Sequence, residues 1–162
     1  MKKIFLLTVC SILLSCNTNA QKKDKQKEEV FPVTKTDAEW RAQLSEMEYY
    51  VLRKKGTEQP GGNEYNKFYE DGVYTCAACG VKLYESKYKY DSGSGWPAFD
   101  RGIQENLSFE NDSSLGMSRT EVHCANCGGH LGHVFNDGPS KTTGMRHCIN
   151  SVSLNFIPQE NE

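Results

Sequence analysis

The chain has 162 residues and a formal net charge of −2. That balance offers no basic footprint for nucleic acid, which is disfavoured as the main partner. Setting aside about 35 residues at the N-terminus leaves about 127, the size of one ordinary domain.

Lys2 and Lys3 precede an apolar run over residues 4–14. A basic start, a short apolar core and small residues after it read as an export signal, too short to span a bilayer as a stable helix. Leu13-Leu14-Ser15-Cys16 resembles a bacterial lipoprotein cleavage box. On that reading residues 1–15 are the signal peptide, and Cys16 becomes the lipidated first residue of an anchored protein facing the periplasm or the exterior. The alternative cut follows Ala20 and gives a soluble periplasmic protein. Residues 16–35 are expected to be a flexible tether, because 22–29 mix charges without one apolar side chain to bury. The folded domain is expected over 36–158, with 159–162 as a tail.

Thr36-Asp37-Ala38-Glu39 fits a helix capping box, and Trp40, Leu44, Met47 and Val51 follow at helical spacing. Ser45-Glu46-Met47-Glu48 is a second box, so the segment predicts one helix or two short helices meeting at Ser45, with Gly56 as the stop. The apolar stripe reads as core. Beyond Gly62 turn signals recur at Asp71-Gly72, Ser92-Gly93 and Asp137-Gly138-Pro139, separating strand-like runs over 72–76, 119–123 and 148–157. Short strands between Gly-rich turns predict a mainly β, antiparallel domain behind the helices.

Seven cysteines occur. Cys10 falls in the signal and Cys16 at its end. Cys76-Ala77-Ala78-Cys79 and Cys124-Ala125-Asn126-Cys127 are two C-x-x-C pairs, each followed by glycine. Two such knuckles present four thiolates to one tetrahedral ion, and zinc is the usual occupant; with four protein ligands the site is closed and structural. Two disulfides, or one redox dithiol, are the other readings. Cys148 is left over, in Arg146-His147-Cys148-Ile149-Asn150-Ser151. On a strand, Arg146, Cys148 and Asn150 share a face, and a guanidinium beside a thiol favours the reactive thiolate. That face is expected to continue through Val152, Leu154 and Phe156 into the core. His130 and His133, among three glycines, read as metal ligands, core residues or proton donors. Gly93-Ser94-Gly95-Trp96-Pro97 suggests an aromatic displayed on a rigid loop.

Taken together, these motifs resemble one family, the B-type methionine sulfoxide reductases, which act on the R epimer. The likeness runs from about Asp37 to Ile157. It includes Leu44-Ser45-Glu46-Met47, Gly72-Val73-Tyr74, both knuckles, Ser92-Gly93-Ser94-Gly95-Trp96-Pro97, His130-Leu131-Gly132-His133-Val134-Phe135, Asp137-Gly138-Pro139 and the segment 146–151. The resemblance implies two small antiparallel sheets preceded by helices and stapled by one structural zinc on Cys76, Cys79, Cys124 and Cys127. It implies Cys148 as nucleophile, with His130, His133, Arg146 and Asn150 around the sulfoxide and Trp96 and Phe135 against the substrate. It implies oxidised methionines of proteins as substrate and a small thiol or thioredoxin-like protein as reductant; a monomer is expected, with no membrane contact beyond the lipid anchor read from residues 1–16. Two departures stand out. Ser94 occupies the place where many relatives carry a resolving Cys, and His147 the place where they commonly carry Tyr or Phe. The rival readings are a zinc-ribbon binding module and an oxidoreductase of protein disulfides that uses a knuckle as its redox pair.

Overall fold

Both capping boxes form in the computed structural model, which describes residues 30–160. The expected signal peptide, Cys16 and most of the tether lie outside the described residues. Thr36 and Glu39 exchange side-chain and backbone hydrogen bonds at the start of α1 (Asp37–Gln43), and Ser45 and Glu48 do so at the start of α2 (Glu46–Lys54). Each cap stabilises its helix by about 1 kcal/mol. Trp40, Leu44 and Val51 are buried as expected, but Met47 is 47% exposed. It falls in the first turn of the second helix, where the break at Ser45 has reset the helical phase. The stop differs as well: Lys55 takes the left-handed conformation, and the half-exposed ring of Tyr50 folds over Gly56, where a Cβ would push it aside.

The remainder is two antiparallel sheets. The smaller has β2 (Lys82–Glu85), β1 (Gly72–Cys76) and β9 (Leu154–Pro158) in that order. The larger runs β3 (Lys89–Tyr90), β4 (Ala98–Phe99), β8 (Arg146–Ile149), β7 (His130–Phe135), β6 (Arg119–Cys124), β5 (Leu107–Asp112). Tyr74, Leu83 and Tyr84 of one sheet and Phe99, Val122, Leu131 and Ile149 of the other are fully buried between them and the helices. Side chains of this size each contribute roughly 2–3 kcal/mol when buried.

The run 148–157, expected as one strand, is two. The chain leaves the larger sheet after Ile149, makes a 3-10 turn (Ser151–Ser153), and enters the smaller sheet as β9. The alternation expected through Val152, Leu154 and Phe156 therefore does not continue the face of Cys148; the turn resets it. The domain also begins before residue 36. Phe31 packs on Gly128, and the Val33 N–H donates to the Asn126 carbonyl, so the end of the expected tether docks on the second knuckle.

Candidate active site

The knuckles lie where the sheets meet. Cys76 ends β1 and Cys79 follows in the turn to β2; Cys124 ends β6 and Cys127 follows in the turn to β7. In each knuckle the glycine takes a positive φ and its N–H donates to the first Cys carbonyl at 2.8 Å, Gly80 to Cys76 and Gly128 to Cys124. A side chain would strain that conformation. All four Sγ atoms lie within 4.8 Å of one another, with Cys76–Cys127 at 3.7 Å and Cys79–Cys124 at 3.6 Å. Four sulfurs about 2.3 Å from a central tetrahedral ion stand about 3.8 Å apart, whereas a bonded pair is about 2.05 Å apart. The donor set thus fits one metal ion and not two disulfides, and the ion would tie the two sheets together. Gln43 and Arg53 of the helices brace the knuckles by donating to the carbonyls of Ala78 and Cys127.

Cys148 stands apart, in the middle of the larger sheet. Its register partners are Ala98 on β4 and His133 on β7, and His133 in turn faces Glu121 on β6. Direct partners in an antiparallel sheet project to the same face. The register therefore sets the thiol between a small residue and an imidazole. Gly132 lets β7 pass this close: a Cβ there would strike the Cys148 carbonyl.

A cavity of about 150 Å³ opens beside the thiol, lined by Cys148, Trp96, His133, Phe135, Asn150 and Arg119 among others. Four of the six residues expected around or against the substrate therefore do line it. Arg146 does not; its guanidinium is bound bidentately by Asp137 at 2.8 and 2.9 Å and lies 4.4 Å over the Phe135 ring. His130 is set behind, with Nδ1 on Glu121 at 2.7 Å and its ring 5.4 Å from that of His133. His133 Nε2 is 2.7 Å from the Asp112 carboxylate, which also binds Arg119.

Electrostatics add burial to one expectation. Burial pushes the Cys148 thiol above its ordinary value, and the Ser94 hydroxyl at 3.7 Å and the Arg146 guanidinium offset only part of that. The arginine is shared with Asp137, and its pull on the thiol is in the expected direction but smaller than the effect of burial. Burial also lowers His133, against the pull of Asp112. His147 lies on the opposite face of β8, 4% exposed, edge-on to Tyr84 and Phe109, and burial lowers its pKa to about 4. It fills an aromatic slot as a neutral ring.

Sequence reasoning missed Asp112, Arg119 and Glu58. The first two sit at opposite ends of one register pair, Asp112 with Arg119; no local motif marks them. Glu58 is a buried carboxylate in coil.

A β domain with a four-thiol metal staple and one separate thiol in a cavity with an imidazole has the build of a thiol-based redox enzyme. The chain belongs to the SelR domain family, which matches residues 44–158. Among its relatives, a protein of Chromohalobacter salexigens described as peptide methionine sulfoxide reductase MsrB is 50% identical over 133 residues, covering 79% of this chain and 97% of the relative. One of the same description from Methanosarcina barkeri is 53% identical over 131 residues, with 79% and 90% covered. Peptide methionine sulfoxide reductase B5 of Oryza sativa is 54% identical over 125 residues, with 76% and 90% covered.

Proposed function

We propose that the protein reduces methionine R-sulfoxide in proteins to methionine at the expense of thiols, with Cys148 as nucleophile. The observation that carries this reading is the cavity that sets Cys148 beside Trp96, Phe135 and His133, in a chain half identical across its domain to proteins described as peptide methionine sulfoxide reductases.

Trp96 and Phe135 give the methyl group an aromatic wall, suited to a polarisable sulfur substituent. Cys148 attacks the sulfoxide sulfur as its proton passes to the neutral imidazole of His133. Charge builds on the oxygen, where Asn150 can donate a hydrogen bond and His133, its imidazolium form held by Asp112, hands on the proton it took from Cys148. His130 buttresses His133, and Arg146 steadies the developing charge near the thiol. The oxygen passes from the substrate sulfur to Sγ of Cys148, the sulfur–sulfur bond made in the attack and the substrate sulfur–oxygen bond both break, methionine leaves, and Cys148 is left as sulfenic acid. One external thiol then forms a mixed disulfide with Cys148 and releases water; a second releases Cys148 and leaves as a disulfide. A small thiol or a thioredoxin-like protein fits, because Ser94 next to Cys148 cannot resolve the sulfenic acid.

The ion suited to four converging thiolates is one zinc, in a structural role. We place the working enzyme, a monomer, outside the cytoplasm on a lipid anchor at Cys16, on the strength of residues 1–16. The two rivals fare worse. A binding module leaves Cys148 without a task, and a knuckle used as a redox pair would break a converged donor set.

The test is reduction of separate R and S sulfoxides by purified protein with a dithiol. Turnover of the R epimer alone is expected; turnover of neither, or preference for S, would overturn the reading.

A further inference from the structure

Between α2 and β1 the chain runs in coil, and one charged residue of it turns inward. Glu58 is 6% exposed, while its neighbours Thr57 and Gln59 are exposed. A carboxylate seldom tolerates such burial unless hydrogen bonds replace its water. Here its two oxygens accept the backbone N–H of Ser151 and, at 3.1 Å, that of Val152. These are the first two N–H groups of the 3-10 turn directly behind the strand of Cys148.

The backbone of the same residue reaches the site on two more sides. The Glu58 N–H donates to Asn150 Oδ1 at 3.1 Å, across 92 residues of sequence. The Glu58 carbonyl accepts the indole N–H of Trp96 at 3.3 Å, across 38 residues. The first bond fixes how the Asn150 amide faces. Its oxygen is taken by Glu58, and its nitrogen donates to the Leu131 carbonyl at 3.0 Å. An amide nitrogen carries two protons, so one N–H is left for a ligand on a residue that lines the cavity.

We propose that Glu58 is a positioning residue that sets epimer selectivity: its carboxylate clamps the turn behind Cys148 and thereby brings its own backbone to where it orients both Asn150 and Trp96. The inference rests on the reading that these two residues face the substrate. A sulfoxide sulfur carries a methyl group, an oxygen and the rest of the side chain. The angle between the wall that takes the methyl and the donor that takes the oxygen decides which epimer turns its sulfur toward Cys148. Glu58 is bonded to both elements, so it fixes that angle. The carboxylate is specifically required, because the two groups it meets are both donors. In Glu58→Gln one acceptor becomes an NH₂ pointed at a backbone N–H.

The test uses the full chain and four variants: Glu58→Gln, Glu58→Asp, Asn150→Ala and the Glu58→Gln/Asn150→Ala double. Turnover of each epimer is measured beside two controls, the rate of Cys148 alkylation by iodoacetamide and the thermal midpoint. Glu58→Gln is expected to lower kcat/KM for the R epimer by about 10- to 100-fold, the equivalent of one charge-assisted hydrogen bond. The ratio of R to S turnover should fall, and alkylation should stay within about twofold of wild type. Glu58→Asp, which keeps two acceptors, should recover part of the loss. In the Asn150→Ala background Glu58→Gln should cost clearly less than it does alone, since part of its action runs through Asn150. Full additivity, an unchanged R to S ratio, or wild-type turnover in Glu58→Gln would overturn the inference. Should Glu58→Gln not fold, Glu58→Asp meets the same criteria at smaller amplitude. Wild-type turnover in Asn150→Ala would instead overturn the site reading beneath it.

Discussion

The five thiols of the domain are one functional group in two settings. Four are drawn to a point where the two sheets meet, each within reach of three others. The fifth sits in mid-sheet, where its register neighbours are a methyl group and an imidazole. In the first setting every sulfur has soft partners and the only task left is to hold an ion. In the second, among the described residues, no other thiol converges on the sulfur, which has a cavity beside it and a hydroxyl at 3.7 Å. The difference shows that the identity of neighbours, more than exposure, separates a structural cysteine from a reactive one. Cys79 and Cys148 are both only partly buried, yet one belongs to each class.

The largest effect should come from exchanging the lone thiol. Cys148→Ser is expected to reduce sulfoxide turnover by at least about four orders of magnitude while changing stability by under about 1 kcal/mol and leaving the bound metal in place. Substantial activity in that variant would end the proposed chemistry. The same exchange in the quartet should invert the pattern. Cys76→Ser or Cys124→Ser should cost on the order of 4 kcal/mol of stability, with loss of metal, because the ion joins the sheets. Metal-free wild type of undiminished thermal midpoint, or two disulfides by mass, would contradict this.

The contrast can also be blurred deliberately. Wild-type protein given one equivalent of R-sulfoxide and no reductant should hold a Cys148 sulfenic acid that dimedone traps, with no new internal disulfide. Ser94→Cys gives Cys148 a sulfur neighbour at the position of a hydroxyl now 3.7 Å away, and a disulfide to Cys148 should replace the trapped acid. Peptide mapping decides between them. A wild-type disulfide between Cys148 and the quartet would mean that the two settings exchange electrons after all.

The smallest effect concerns pH. His147 has an ordinary value of 6.5 and a folded value of about 4. Its neutral form is the one that fits the slot, so its contribution is fully present above pH 6.5 and is lost as pH falls from 6.5 toward 4. The loss amounts to about 3 kcal/mol at the lower limit. His147→Phe should flatten that part of the stability profile, as followed by urea unfolding. Below it Glu121, held at about 2 against an ordinary 4.5 by its bonds to His130 and Lys55 despite burial, takes over between pH 4.5 and 2. An unaltered slope between pH 6.5 and 4 in His147→Phe would show that other groups govern it.

What could be read from the sequence was what is local. The two capping boxes, the knuckle turns and the strands at 72–76 and 119–123 each carry their signal within a few adjacent residues. Cys148 was legible by exclusion once the other four thiols paired by spacing. The strand break after Ile149 was not, because Asn150-Ser151-Val152-Ser153 carries no glycine or proline; it is fixed by remote partners, Leu131 and Glu58. Asp112 and Arg119 escaped notice since they meet only through hairpin register. The balance of forces on Cys148 was only half legible for a similar reason: the sequence shows the arginine two residues away, which does favour the thiolate, but neither the burial that opposes it nor the Asp137 carboxylate that shares the guanidinium.

The short passage from Cys148 to Leu154 has a further consequence. Strand, turn and strand follow without slack, and Leu154 pairs with Cys76 of the quartet. The floor of the site is thereby joined, through one short run of chain, to the quartet end of the molecule. A cavity of about 150 Å³ takes in one side chain. The freedom needed for encounter must then be supplied by the damaged protein. Methionines in loosened or unfolded stretches would be repaired first, and those packed into intact cores would wait until their own chain lets go.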